Sequence, residues 1–121
     1  MIKQVIVIRK DLKMRRGKEI AQGSHASAAF MTRKIYNGSL GYLQAVQEEW
    51  LKTGATKVVV QVNSEEELMD IFYNALNHKL EVNLITDQGK TEFNVPTRTC
   101  LAIGPDESSK IDPITSHLVL Y

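Results

Sequence analysis

Ile2-Lys3-Gln4-Val5-Ile6-Val7-Ile8-Arg9 stands at the head of the chain, and its unbroken β-branched run from Val5 to Ile8 decides the fold class. Such a run suits a strand buried on both faces, as in the middle of an α/β sheet. Beyond it the period changes. From Gly17 to about Tyr36, residues Ala21, Ser24, Ala28, Met31 and Ile35 recur at spacings of three and four. That spacing predicts a helix, and the small residues predict that this face lies close against the sheet. Asn37-Gly38-Ser39 ends it.

A second helix is expected over 40–53, with Leu40, Leu43, Val46, Trp50 and Leu51 inward and Gly54 as its stop. Lys57 to Val62 reads as strand two. Ser64 then caps a third helix, Glu67 completes a capping box, and Leu68, Ile71, Phe72, Ala75 and Leu76 form the apolar face. Strands three and four are expected at about 81–86 and 99–104, and a short helix at 109–116. This order of elements describes a compact layered α/β fold: a four-stranded mixed β-sheet flanked by helices, in a single domain over 1–121.

Composition narrows the function classes. The formal net charge of +1 hides an asymmetry: residues 1–34 carry nine Lys/Arg against Asp11 and Glu19, whereas the remainder is net acidic. A localised basic end steers polyanions without making the whole surface adhesive. The lone Cys100 excludes an intrachain disulfide and a thiolate zinc cluster, and its apolar neighbours suggest a structural thiol. Three scattered histidines offer no ligand pair at helical metal spacing, so neither a metal nor a cofactor is expected. No segment has the length of a membrane span, and Met1 leads into a strand rather than a signal peptide, so a cytoplasmic location is the expectation.

Two stretches carry the chemistry. In Lys13-Met14-Arg15-Arg16-Gly17-Lys18, four cations crowd the start of the first helix, where the macrodipole disfavours them by about 0.3–1 kcal/mol each. Such an arrangement reads either as a solvated basic turn or as a site for an anion such as phosphate. The second stretch, from Thr86 to Thr99, places Asp87, Gly89, Lys90, Thr91 and Arg98 at the end of a strand, where α/β proteins often bind ligands. Asp87-Gln88-Gly89 is equally a good turn.

Taken together, these stretches resemble the type-2 peptidyl-tRNA hydrolases. The matching pieces are Arg9-Lys10-Asp11-Leu12-Lys13-Met14, Gly17-Lys18 with Ala21-Gln22 and Ser24-His25-Ala26, and Asp87 with Gly89 and Thr91. Thr99 to Pro105 follows, then Ile111-Asp112 with Thr115, His117 and Leu118. The resemblance implies a metal-independent hydrolase, usually a homodimer, that cleaves the ester joining a peptide to the terminal ribose of tRNA. It points to Lys18, Asp87, Thr91 and Thr99 as functional residues, with Gln22 and His25 nearby on the first helix. The chain departs from the common pattern at Gln88, Lys90, Glu92 and Gly23, and over Asn94-Val95-Pro96-Thr97.

Ester hydrolysis needs an activated water, a stabilised oxyanion and a proton for the departing ribose. In this reading Asp87 orients the water or accepts its proton, and Lys18 stabilises the oxyanion or a neighbouring phosphate. Thr91 and Thr99 hold water and substrate, and His25 either shuttles protons or bonds within the structure. A base and an oxyanion donor contribute roughly 10²–10⁴ and 10²–10³ respectively. For tRNA, the expected phosphate contacts are Lys10, Lys13, Arg15 and Arg16, joined by Lys90, Arg98, Arg33 and Lys34. The alternatives are a non-catalytic RNA-binding module on the same fold and, more remotely, an esterase or amidase for a small substrate. Lys90, Glu92 and the altered loop motivate the first.

Overall fold

In chain order the elements are β1 (Ile2–Arg9), α1 (Arg16–Tyr36), α2 (Ala45–Lys52), β2 (Lys57–Val62), α3 (Glu65–Asn77), β3 (Val82–Asp87), β4 (Thr97–Glu107) and α4 (Ser108–Thr115). The structure, a computed structural model, describes residues 1–38, 43–90 and 92–121. The strands form one mixed sheet in the order β2-β1-β4-β3. β1 runs parallel to β2 and antiparallel to β4, and β4 runs antiparallel to β3. The β-branched run of β1 therefore lies inside the sheet, as its composition requires. The last strand in sequence is inserted between β1 and β3.

Alternation along β1 and β4 splits the core in two. Val5, Val7, Leu101 and Ile103 pack with Leu68, Ile71 and Ala75 of α3 and with Ile111 and Ile114 of α4. Ile6, Ile8, Cys100 and Ala102 point the other way, toward Ala26 of α1 and Met14 of the preceding loop. Ser64 caps α3 by accepting the Glu67 N–H at 3.0 Å. Glu67 reaches back to the N–H of Asn63, one residue earlier than the simplest capping box would have it.

The helical period of α1 is as expected, but its inward face is not. Gln22, Ala26, Ala29 and Phe30 are buried, whereas Ala21, Ser24 and Ile35 are exposed. The cause is polar complementarity in the sheet. Gln4, fully buried on β1, donates to the Ser27 carbonyl at 3.0 Å and accepts the Ser27 hydroxyl at 2.5 Å. Gln22 is matched likewise by Thr99 of β4, so a glutamine faces inward in place of the small apolar stripe. Two further expectations are corrected. Leu51 of α2 and Leu76 of α3 are exposed rather than inward, and α2 begins at Ala45. Leu40 lies outside the described residues.

Three residues of the expected stripe, Ser24, Ala28 and Met31, have a definite place. Ile20, Gly23, Ser24, Ser27, Ala28 and Met31 line a groove of about 650 Å³, floored by Ile6, Ile8 and Val59 and walled by Trp50 and Leu51. At its far side, residues 119–121 add to the edge of β2. Gln61 donates its N–H to the Val119 carbonyl at 2.9 Å, and Tyr121 donates its own to Val59 at 3.0 Å. The Tyr121 hydroxyl closes this side by donating to the Glu19 carboxylate.

Candidate active site

The loop between β1 and α1 is built by an apolar underside and a basic top. The Lys10 N–H donates to the Val62 carbonyl at 2.8 Å and the Lys13 N–H to the Lys10 carbonyl at 3.1 Å, with Lys13 in the left-handed region at φ 53°. Leu12 and Met14 tuck into the cluster of Ile6 and Ile8. Lys10, Lys13, Arg15 and Arg16 are thereby left exposed together. Arg9 fixes this loop to the far side of the site. Its Nε and Nη2 donate to the two Asp11 carboxylate oxygens at 3.1 and 2.7 Å, and its Nη1 donates to the Arg98 carbonyl at 3.0 Å.

Lys18 lies in the first turn of α1, and Asp87 is the last residue of β3. Lys18 Nζ donates to Asp87 Oδ1 at 2.5 Å, and the two side chains are only 11% and 9% exposed. The other oxygen, Asp87 Oδ2, accepts the Gly89 N–H at 2.9 Å. Asp87 therefore serves its own turn and the ion pair at once. Gly89 is required there: its φ is +81°, and an added Cβ would lie 2.7 Å from the Val95 carbonyl carbon. The Lys18 ammonium and the Gly89 N–H hold the Asp87 carboxyl below its usual value, with a smaller electrostatic contribution from His25. The carboxylate is thus ionised at neutral pH, and its basicity is reduced. Phe93 closes the other side, its ring centroid 5.6 Å from Lys18 Nζ.

Beneath this pair, Thr99 is fully buried and donates its hydroxyl to Gln22 Oε1 at 2.6 Å. The Cys100 thiol donates to the Gln22 carbonyl at 3.3 Å. Burial pushes that thiol up to about 11, so it is a packing group that stays protonated. Gln22 and Thr99 are therefore joined to each other beneath the surface. His25 is exposed on the same face of α1 as Lys18 and Gln22. Thr91 lies outside the described residues. Among the described residues, no group of three or more His, Cys, Asp or Glu is arranged to hold a metal ion.

Six of the expected phosphate contacts, Lys10, Lys13, Arg15, Arg16, Lys90 and Arg98, are exposed around this pair of segments. Arg33 is engaged elsewhere, donating to Asn83 Oδ1 at 2.6 Å and to the Leu84 carbonyl at 2.9 Å. Three features have no clear signal in the sequence: the Arg9–Asp11 fork, the Phe93 ring over Lys18 and an ion pair between Arg15 and Glu92. An aromatic residue inside a polar loop was the one clue to Phe93.

The structure is thus an α/β protein with a nearly buried lysine–aspartate pair beside a set of exposed cations. The family model described as peptidyl-tRNA hydrolase PTH2 matches residues 2–121. A peptidyl-tRNA hydrolase of Methanocaldococcus jannaschii is 48% identical over 120 residues, covering 98% of this chain and 99% of its own. Those of Nanoarchaeum equitans and Methanopyrus kandleri are 45% and 42% identical, over 100% and 99% of this chain and 100% and 98% of their own. The chain belongs to the PTH2 family of peptidyl-tRNA hydrolases. A solved structure of a protein of unknown function from Agrobacterium tumefaciens shares the fold, with a TM-score of 0.56 at 13% identity over 98% of this chain and 96% of that one.

Proposed function

We propose that Lys18 and Asp87 form the hydrolytic centre of this chain, which by family is a peptidyl-tRNA hydrolase. The bond cleaved is the ester between a peptide, or an N-blocked aminoacyl group, and the 3′-terminal ribose of tRNA. The observation that carries the assignment is the 2.5 Å contact between two nearly buried side chains beneath an exposed basic rim. The lysine ammonium is aimed and held by the aspartate, so it stabilises a developing oxyanion with little reorganisation. With its pKa lowered, Asp87 acts by orienting the ammonium and the attacking water more than by retaining a proton. Gln22 and Thr99 then act through position, since their bond fixes α1 against β4 one turn beyond Lys18.

In a test on N-acetyl-aminoacyl-tRNA in EDTA, Lys18→Ala and Asp87→Asn should each lose about a hundredfold or more in kcat/KM while remaining folded. Activity surviving both changes would remove the pair from the chemistry. An inactive parent that still binds tRNA would favour the RNA-binding module.

The apolar groove supports a homodimer. Ile20, Leu51 and Val59 are 64%, 43% and 36% exposed there, and the α1 stripe is small in the middle and large at both ends. A two-fold crossing of α1 on its copy would seat each Ile20 near the other's Met31. Sedimentation should show a dimer for the parent and a monomer for Val59→Asp. A monomeric parent would end this reading. A cytoplasmic location accords with a tRNA substrate.

A further inference from the structure

Arg15 and Glu92 meet across the mouth of the site. Arg15 Nε lies 3.5 Å from Glu92 Oε1, with the arginine side chain 89% exposed and the glutamate 29% exposed. Arg15 is the N-cap residue of α1, three positions before Lys18. Glu92 directly precedes Phe93, whose ring faces Lys18. The contact therefore joins the same two segments as the Lys18–Asp87 pair, at a more exposed level. A carboxylate is well placed there, because a helix N-terminus attracts negative charge. The rest of the rim is cationic, so the Glu92 carboxylate lies where an anionic ligand would be drawn.

We propose that Glu92 stands in for a substrate phosphate, occupying Arg15 in the free enzyme until a phosphate of tRNA replaces it. The proposal rests on the reading that Arg15 contacts tRNA. An exposed ion pair is weak, and a guanidinium offers phosphate a matching two-pronged contact, so the exchange favours substrate. The phosphate must first displace the carboxylate from Arg15, and that competition weakens binding. Glu92 thereby sets the strength of tRNA binding without touching the reacting ester. It is a specificity-determining residue rather than a catalytic one.

Steady-state kinetics on N-acetyl-aminoacyl-tRNA across a salt series test this with Glu92→Gln, Arg15→Ala and the double variant, alongside an N-acetyl-aminoacyl adenosine lacking phosphate. Glu92→Gln should lower KM for the tRNA substrate by about three- to fivefold, change kcat little, and steepen the slope of log KM against log salt by just under one. The phosphate-free ester should be cleaved equally by parent and variant. In the Arg15→Ala background, Glu92→Gln should lower KM less than twofold. An equal drop in KM with and without Arg15 would overturn the exchange and leave general repulsion. A changed kcat on both substrates would overturn it in favour of a structural role for Glu92. An unchanged KM in Glu92→Gln, with KM raised in Arg15→Ala, would overturn the exchange alone. If Arg15→Ala leaves KM unchanged, Arg15 does not contact tRNA and the underlying reading falls with it.

Discussion

The two faces of the sheet are packed by different chemistry. Toward α3 and α4 the buried contacts are mainly Val, Leu and Ile on both sides, with Ala75 among them and Thr115 of α4 as a buried polar residue. Toward α1 the buried apolar residues Ile6, Ile8, Met14 and Phe30 are joined by small and polar ones: Gln4, Gln22, Ala26, Ala29, Thr99, Cys100 and Ala102. Apolar packing is strong but poorly directional, and it tolerates substitutions that keep volume. A buried glutamine facing a threonine or serine admits one register. The first face holds the molecule together, and the second fixes where Lys18 meets Asp87.

That division is open to attack from both sides. Leu101→Ala, on the apolar face, should cost about 3 kcal/mol of stability with kcat per folded molecule unchanged, as checked by urea unfolding and active-site titration. Lys18→Ala should do the reverse, raising the barrier by about 2.7 kcal/mol or more while shifting the unfolding midpoint less than Leu101→Ala does. Thr99→Val strands Gln22 Oε1 and should cost about 1–2 kcal/mol of stability. It should also lower kcat several-fold with KM unchanged. A raised KM instead would mean that Thr99 meets substrate.

The smallest effect concerns acid. The folded Asp87 carboxyl titrates below its ordinary 3.8. The stability it contributes is therefore fully present above about pH 4 and is lost as pH falls further, through the folded value. Unfolding curves between about pH 5 and 3 should show the parent losing more stability than Asp87→Asn. For the same reason, an acid limb in kcat/KM above about pH 5 would belong to another group.

Where one principle dominated, the sequence was a good guide. The β-branched run placed β1 inside the sheet, Ser64 and Glu67 marked the start of α3, and β2 fell on Lys57 to Val62. The facing of α1 was not legible, because its burial depends on partners 23 to 77 residues distant, Gln4 for Ser27 and Thr99 for Gln22. Nothing local shows that Gln22 will find Thr99, and a stripe of alanine, serine and methionine reads as core until its position beside Val59 is known. The site was half legible in the same sense. Lys18 and Asp87 stood out by their surroundings in sequence, but their direct contact, and the neighbours Phe93 and Glu92, depend on how the loop after β3 folds back.

The strand order has a consequence for how the enzyme is made. β3 borders only β4, and β4 follows the other three strands of the sheet in sequence. Until residues 97–103 have emerged, Asp87 ends a strand with no neighbour in the sheet, and its contact with Lys18 is not yet framed. Throughout synthesis the growing chain is itself a peptidyl-tRNA. Because β4 inserts between β1 and β3, the Lys18–Asp87 pair proposed as the hydrolytic centre comes together only once that strand has been made.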